Sequence, residues 1–172
     1  MNILSRFRQR RIGRTEKAAI ILLSVLILSL AVFRLQRRYR FAVQTDYSVH
    51  FLLGITDKMD RIPRKGGGEY FAFKFLAAPG DARYGWDFVK TLGCNEGEFL
   101  ETRGREFFCN GISIGRAKEY TKKGKPLTPF YYRGTVPQGQ YFAVGETKDS
   151  YDSKYWGFVR KEWIIGKVYK LL

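Results

Sequence analysis

The sequence predicts a mainly β domain behind a single N-terminal transmembrane helix, and three observations carry that reading. An uncharged apolar run, AAIILLSVLILSLAVF, occupies residues 18–33. From residue 41 onward, short aromatic segments with strand-like alternation are separated by glycine-containing turns. No helical period longer than two turns appears outside the apolar run.

The helix comes first. Sixteen residues rising 1.5 Å each give a helix of about 24 Å, slightly short of a hydrocarbon core of about 30 Å. Leu35 extends the run, and Lys17, Arg34, Arg37 and Arg38 can snorkel outward to cover the difference. The run is long for the core of a signal peptide, and FRLQRRYR follows it where a small-x-small cleavage site would stand. It therefore reads as an uncleaved anchor over residues 18–35, behind a basic cytoplasmic N-terminus over 1–17. Six bases precede the run (Arg6, Arg8, Arg10, Arg11, Arg14, Lys17) and four follow it (Arg34, Arg37, Arg38, Arg40). The positive-inside rule then keeps the N-terminus in the cytoplasm and exports residues 41–172, where Cys94 and Cys109 meet conditions that permit a disulfide.

The strands follow in order. Segment 69–75, EYFAFKF, is aromatic and follows a glycine-rich turn at 64–68; segment 86–90, WDFVK, is the next candidate. Segments 98–102 and 105–109 flank Arg103-Gly104 as a hairpin, and Asn110-Gly111 closes the following turn. Segments 140–144 and 163–169 complete the set, while 116–133 is polar, rich in Lys, Gly and Pro, and reads as a loop excursion. Strands and turns so spaced suit a sandwich or open barrel.

Composition narrows the function. The 172 residues suit one domain plus an appendage, and 16% aromatic content supplies a core. One His and two Cys cannot build a His-rich or four-Cys metal site, and no metal or other cofactor is expected. The net charge of +15 would suggest nucleic acid, but ten bases against Glu16 alone fall in residues 1–40, around the apolar run. The basic stretch 116–125 lacks an aromatic stacking pattern and reads as a solvated loop, so no nucleic-acid partner is expected.

Three segments carry a family resemblance. VGETKDSYDSKYWGFV (residues 144–159) resembles the last conserved box of type I signal peptidases, roughly Gly-Asp-Asn…Ser-x-Asp-Ser-Arg-Tyr-x-Gly. FVKT…GE (88–98) is similar to the segment holding their general base, and RKG…EYFAFK (64–74) to their Arg-Gly-Asp-x-Val-x-Phe strand. All three come in the family's order behind an anchor, and the small size is most like the TraF-type peptidases of conjugative transfer systems. The resemblance implies a signal-peptidase-like β fold in the bacterial inner membrane, with the catalytic domain periplasmic. It implies a serine–lysine dyad cutting exported precursors. Pilin precursors are among these substrates, cyclised by some members, and a type IV secretion or conjugation apparatus is an implied partner beside the lipid bilayer.

Carried over residue by residue, the resemblance makes Lys90 the general base. Its neighbours Trp86, Phe88, Val89 and Leu92 could supply the desolvation a neutral lysine needs. The nucleophile falls on Ser48, the only serine between the anchor and Lys90, although the family's following Met and Pro are missing. A second registration puts Asp46 there, which would make the chain a noncatalytic module for assembly of a secretion or conjugation complex. The last box implies that Ser150 orients the lysine, that Asp152 and Lys154 form a structural pair, and that Gly145 allows close backbone approach. Lysine replaces the family's arginine at 154, and Glu146 its aspartate. His50, two residues from Ser48 and on its face of an extended strand, has no matching orienting carboxylate and is not expected to be catalytic. Cys94 and Cys109 are left open between a disulfide and buried thiols.

Overall fold

The computed structural model describes residues 13–45, 48–66 and 69–172. It contains two compact units, residues 1–37 and 38–172. In the first, helix α1 (Arg14–Arg38) runs through the apolar stretch and beyond it at both ends. Its start is set by Glu16, whose carboxylate Oε2 accepts the Gly13 N–H at 2.9 Å, half of a capping box. Its last turn holds Arg37 and Arg38, where cations complement the helix dipole. The 25 residues make about 37 Å of helix, but the uncharged run inside it is still residues 18–33, so a span of the hydrocarbon core would still draw on the flanking Lys17, Arg34, Arg37 and Arg38. Ser24 and Ser29 donate to the carbonyls of Ile20 and Val25 at 2.8 and 2.6 Å, which hides their hydroxyls inside the apolar surface. No described residue of α1 is buried, and the helix is long and apolar enough to cross a membrane.

The second unit is built from β1 (Tyr39–Val43), β2 (Leu53–Asp57), β3 (Tyr70–Lys74), β4 (Asp87–Cys94), β5 (Phe99–Arg103), β6 (Glu106–Cys109), β7 (Ile112–Arg116), β8 (Arg133–Thr135), β9 (Gln140–Val144), helix α2 (Ser153–Trp156), β10 (Val159–Arg160) and β11 (Ile164–Lys170). A seven-stranded sheet runs β1-β2-β11-β3-β4-β9-β10, and a four-stranded sheet runs β7-β6-β5-β8, every pair antiparallel. All six segments expected as strands are strands, each within a few residues of its expected bounds. The two predicted turns hold as well. Arg103 pairs with Glu106, leaving Gly104 in the loop. Cys109 pairs with Ile112 across Asn110 and Gly111, both at positive φ (49° and 81°) as a primed two-residue turn requires.

Three apolar clusters hold the unit. One lies over Phe71, Phe73, Phe75, Phe88 and Leu92 on β3 and β4, joined by Tyr141 and Ala143 on β9. Alternate residues of adjacent antiparallel strands share a face, and this periodicity concentrates the aromatic rings there. A second cluster takes Leu100, Phe107 and Cys109 from the small sheet and Cys94, Phe142 and Val144 from the large one. It welds the two sheets, and the open question of the cysteines is settled within it: Cys94 and Cys109 form a disulfide with Cα atoms 5.6 Å apart.

Candidate active site

Lys90 sits in the middle of β4 with 1% of its surface exposed. It pairs across the sheet with Phe71, and its Nζ lies 5.3 Å from the centre of the Phe88 ring. On the other side of β4, Thr91 pairs with Val144 and Leu92 with Ala143. The register therefore brings Lys90 level with Gly145, one residue beyond the end of β9. Placing a lysine on this face is costly, because its neighbours are the aromatic residues of the core, and burial disfavours the charged ammonium.

The last box folds back on the end of β9. Asp152, fully buried, caps α2 by accepting the Lys154 N–H at 3.1 Å. Its Oδ2 also accepts the Gly145 N–H at 2.8 Å and the Lys154 ammonium at 2.6 Å. Ser153 Oγ accepts the Ala143 N–H at 2.9 Å. Lysine lacks arginine's bidentate fork, but here one carboxylate grips Lys154 through both its main chain and its side chain. Gly145 lies at the hub. A Cβ there would stand 2.0 Å from Ser150 Oγ and 2.9 Å from the carbonyl oxygen of Ser48. Ser150 Oγ is buried and has no hydrogen-bond partner among the described residues, so the bond to the lysine implied by the resemblance is not drawn.

Ser48 is 3% exposed and begins a turn between β1 and β2, so Ser48 and His50 do not lie along an extended strand. Glu146 holds this turn at several points. Its N–H donates to the Ser48 carbonyl at 2.8 Å. Its Oε2 accepts the His50 N–H at 2.6 Å and lies 3.3 Å from His50 Nδ1. Its Oε1 accepts the Tyr70 hydroxyl at 2.9 Å. Burial first, and then the Glu146 carboxylate, push the Tyr70 phenol up to about 12, so it stays a donor. The His50 side chain is mostly exposed and serves this contact. Asp46, the alternative nucleophile position, lies outside the described residues.

The structure thus brings Ser48, Gly145 and Ser150 into contact, with Lys90 at the same level of the sheet. Ser48 and Ser150 line one cleft of about 490 Å³ together with Arg83, Lys118, Tyr120, Lys122 and Tyr155. From sequence Glu146 is only the counterpart of the family's aspartate, and neither its contacts nor the 116–127 wall of this cleft is legible, because their partners lie far off in the chain. The closest approach to a metal-ligand set among the described residues, Cys94, Glu98 and Cys109, is occupied otherwise. Its sulfurs are bonded to each other, and Glu98 holds the Lys65 ammonium at 2.5 Å. The chemistry on offer is a buried serine, a buried lysine and a second buried hydroxyl without a hydrogen-bond partner among the described residues, a set suited to covalent acyl transfer.

Comparison with known proteins gives the family of the chain. A family model described as signal peptidase, peptidase S26, matches residues 17–171. The chain is 39% identical over 61 residues to signal peptidase I of Aquifex aeolicus, a stretch covering 35% of this chain and 22% of that protein. It is 49% identical over 63 residues to signal peptidase I of Buchnera aphidicola subsp. Acyrthosiphon pisum, covering 36% of this chain and 19% of the other. The matched stretches thus span about a fifth of the length of these curated relatives. A crystal structure of a signal peptidase I from Enterococcus faecalis V583 aligns over 64% of this chain and 100% of its own, at 26% identity and a TM-score of 0.39.

Proposed function

Because the chain belongs to the signal peptidase family, peptidase S26, we propose that it is a membrane-anchored serine endopeptidase that cuts exported precursors with Ser48 as nucleophile and Lys90 as general base. The observation that carries this reading is the convergence at Gly145. Ser48 and Ser150 lie against it from two distant parts of the chain, and Lys90 stands level with it across the sheet. The Ser48 hydroxyl attacks the scissile carbonyl and passes its proton to the neutral Lys90 amine. The Ser48 N–H stabilises the oxyanion. Collapse of the tetrahedral intermediate breaks the C–N bond, with the Lys90 proton leaving on the amine. Water, deprotonated by Lys90, then hydrolyses the acyl ester, or a substrate amine takes its place and closes a ring. The orienting of Lys90 falls to Ser150, whose buried hydroxyl makes no hydrogen bond among the described residues and is therefore available to the amine. Asp152 and Lys154 fix the turn that carries Ser150. The substrate lies in the cleft as an extended strand, held mainly through its backbone.

The finer reading places residues 18–35 across the bacterial inner membrane, with 1–17 cytoplasmic and 41–172 periplasmic. It makes the enzyme a TraF-type peptidase acting on a pilin precursor beside a conjugation apparatus. The disulfide supports the oxidising side of the membrane. A second reading is favoured by one observation, the absence of Met and Pro after Ser48: a noncatalytic relative that holds substrate within a secretion complex.

Processing of exported precursors by the full chain in proteoliposomes separates these readings, with product masses recorded for wild type, Ser48→Ala and Lys90→Ala. The dyad requires both variants to be folded and inactive, and wild-type cleavage to rise with pH as Lys90 sheds its proton. Cleavage by Ser48→Ala at the wild-type rate would remove Ser48 from its role. A wild type that binds precursors but cuts none would establish the noncatalytic module. A product lighter by one water than the cut fragment would identify ring closure.

A further inference from the structure

The basic stretch after β7 is the exposed loop expected from sequence, outside any helix or strand, and it is tied down by its own hydrogen bonds. Thr121 N–H donates to the Lys125 carbonyl at 2.8 Å, Gly124 N–H to Thr121 at 3.0 Å, and Leu127 N–H to Glu119 at 2.8 Å, while Tyr120 bridges Pro126. The Arg105 guanidinium clamps the base of this finger, donating to the carbonyls of Ala117, Lys118 and Leu127. The Lys118 N–H donates to the Tyr155 hydroxyl at 3.0 Å, which ties the finger to α2 and the last box. The finger also forms one side of the cleft that holds Ser48 and Ser150, contributing Lys118, Tyr120, Thr121, Lys122 and Leu127.

Its charge is lopsided. Residues 116–127 hold five bases, Arg116, Lys118, Lys122, Lys123 and Lys125, against Glu119. Inside the cleft, Lys118 and Lys122 share a single carboxylate, Asp149, with the Lys122 contact at 3.0 Å. Those two ammonium groups, Lys118 foremost, hold the Asp149 carboxyl below its usual range. One acid between two bases leaves a positive surplus. The Lys122 side chain is 71% exposed and can swing to a second carboxylate. Arg83 also lines the cleft, over the Tyr151 ring, but its guanidinium is paired with Asp81 at 2.6 Å, so the surplus rests on the two lysines.

We propose that the finger is an acidic-peptide subsite, in which Lys118 and Lys122 receive Asp or Glu side chains carried by the substrate within a few residues of the cut. This rests on the reading of the cleft as the place where substrate lies. It assigns a substrate class, a precursor with an acidic flank, and a role for the basic stretch left over by the fold. Exposed charges of this kind act at short range and are screened by salt, so they bias which precursor is held without altering the chemistry.

The test measures binding apart from catalysis. The full chain carrying Ser48→Ala, in detergent micelles, is titrated with fluorescent extended peptides that differ only in having Glu or Gln beside the cut. The Glu peptide is expected to bind about tenfold tighter, about 1.4 kcal/mol, with the preference lost in high salt. Lys118→Gln/Lys122→Gln should abolish the preference, and Lys122→Glu/Lys123→Glu should transfer it to a Lys-bearing peptide. Lys170→Gln, an exposed base off the cleft, should leave it intact. Equal affinity for Glu and Gln peptides overturns the subsite, whether or not the wild type cleaves. A Glu preference in a chain that cleaves nothing upholds the subsite and removes the peptidase reading instead. Vesicles of phosphatidylcholine with and without phosphatidylglycerol complete the test. If the lysine variants weaken vesicle retention while the peptides are not discriminated, the finger is a lipid contact and the proposal fails.

Discussion

A methyl group on Gly145 would need space already taken by Ser150 Oγ at 2.0 Å, Ser150 Cβ at 2.3 Å and the Ser48 carbonyl oxygen at 2.9 Å. Neither backbone nor a buried Cβ yields cheaply, so Gly145→Ala should cost about 1–3 kcal/mol of stability and displace both serines. Adding Ser150→Gly removes the two shortest conflicts and leaves the third. Urea unfolding of the single and double variants should therefore show stability partly recovered in the double, while precursor processing stays lost. Glu146 is the second position where a single side chain decides the site. Its carboxylate joins the His50 N–H and the Tyr70 hydroxyl, while its main-chain N–H, kept in any substitution, holds the Ser48 carbonyl, so Glu146→Ala loosens the turn that presents Ser48 without releasing it. Turnover should fall about tenfold or more with KM little changed, because a 1 Å misplacement of a nucleophile costs rate rather than binding. Glu146→Gln keeps one acceptor and one shape and should recover part of the loss. An equal loss in both would mean that the charge, not the latch, matters. The two residues differ in how readable they were. Gly145, Ser150, Asp152 and Lys154 lie within ten positions and form a contiguous pattern. Glu146 acts on a residue 96 positions away, a distance across which sequence spacing carries no geometry.

At the scale of elements, the strands that were legible are those bounded by turn chemistry, such as β5 and β6 around Gly104 and Asn110-Gly111. Of those missed, β7 follows Asn110-Gly111 directly but runs into the polar stretch read as a loop, and the others lack such boundaries. The β1 strand follows α1 without a break, β2 carries Gly54 as its second residue, and β8 and β10 are three and two residues long. Gly54 is required where it stands, since a Cβ there would meet Val168 at 2.9 Å and the Tyr169 carbonyl at 3.0 Å. The link between the sheets was legible only as a possibility, because two cysteines on a hairpin's flanks do not specify whether their Cβ vectors face one another. Cys94 and Cys109 are 15 positions apart, and a closed loop of that size removes about 3 kcal/mol of unfolded-state entropy. Cys94→Ala/Cys109→Ala, or wild type under strong reductant, should lose about that much in urea titration. A change under 1 kcal/mol would mean that the apolar cluster spanning the sheets suffices alone. A smaller, pH-dependent term belongs to the segment after β3. Arg83 holds the Asp81 carboxyl down at about 2, so the pair's stabilisation is present above the unfolded carboxylate range near pH 4 and is lost as pH falls toward 2. Allowing for solvent screening of the partly exposed Arg83, that loss is about 1 kcal/mol. Asp81→Asn should remove it and flatten the acid limb of the stability curve by the same amount.

For the whole molecule, two features separated by the length of the chain bear on the same question, which side of a membrane residues 38–172 occupy. The first is charge: six bases before the apolar run against four after it, a margin that favours a cytoplasmic N-terminus without dictating it. The second is the disulfide on the second unit, a bond that persists outside the reducing cytosol. Neither uses the other's evidence, and both support the proposal that the second unit lies on the exported side. In cells, protease added to spheroplasts should then degrade residues 38–172 while leaving α1 in the membrane fraction. A maleimide should label Cys94 and Cys109 only after reductant is added. Replacing Arg6, Arg8, Arg10 and Arg11 by Gln reverses the charge margin and should invert part of the population. In that inverted fraction the unit becomes protected from protease and its thiols become reactive without reductant. Protease protection of the wild-type unit would overturn the orientation. Leu26→Arg tests the anchor itself: a charge near the helix centre costs about 2.5–3.5 kcal/mol of insertion, and the chain should then be released by carbonate extraction. If it stays bound, residues 38–172 must hold the membrane by themselves.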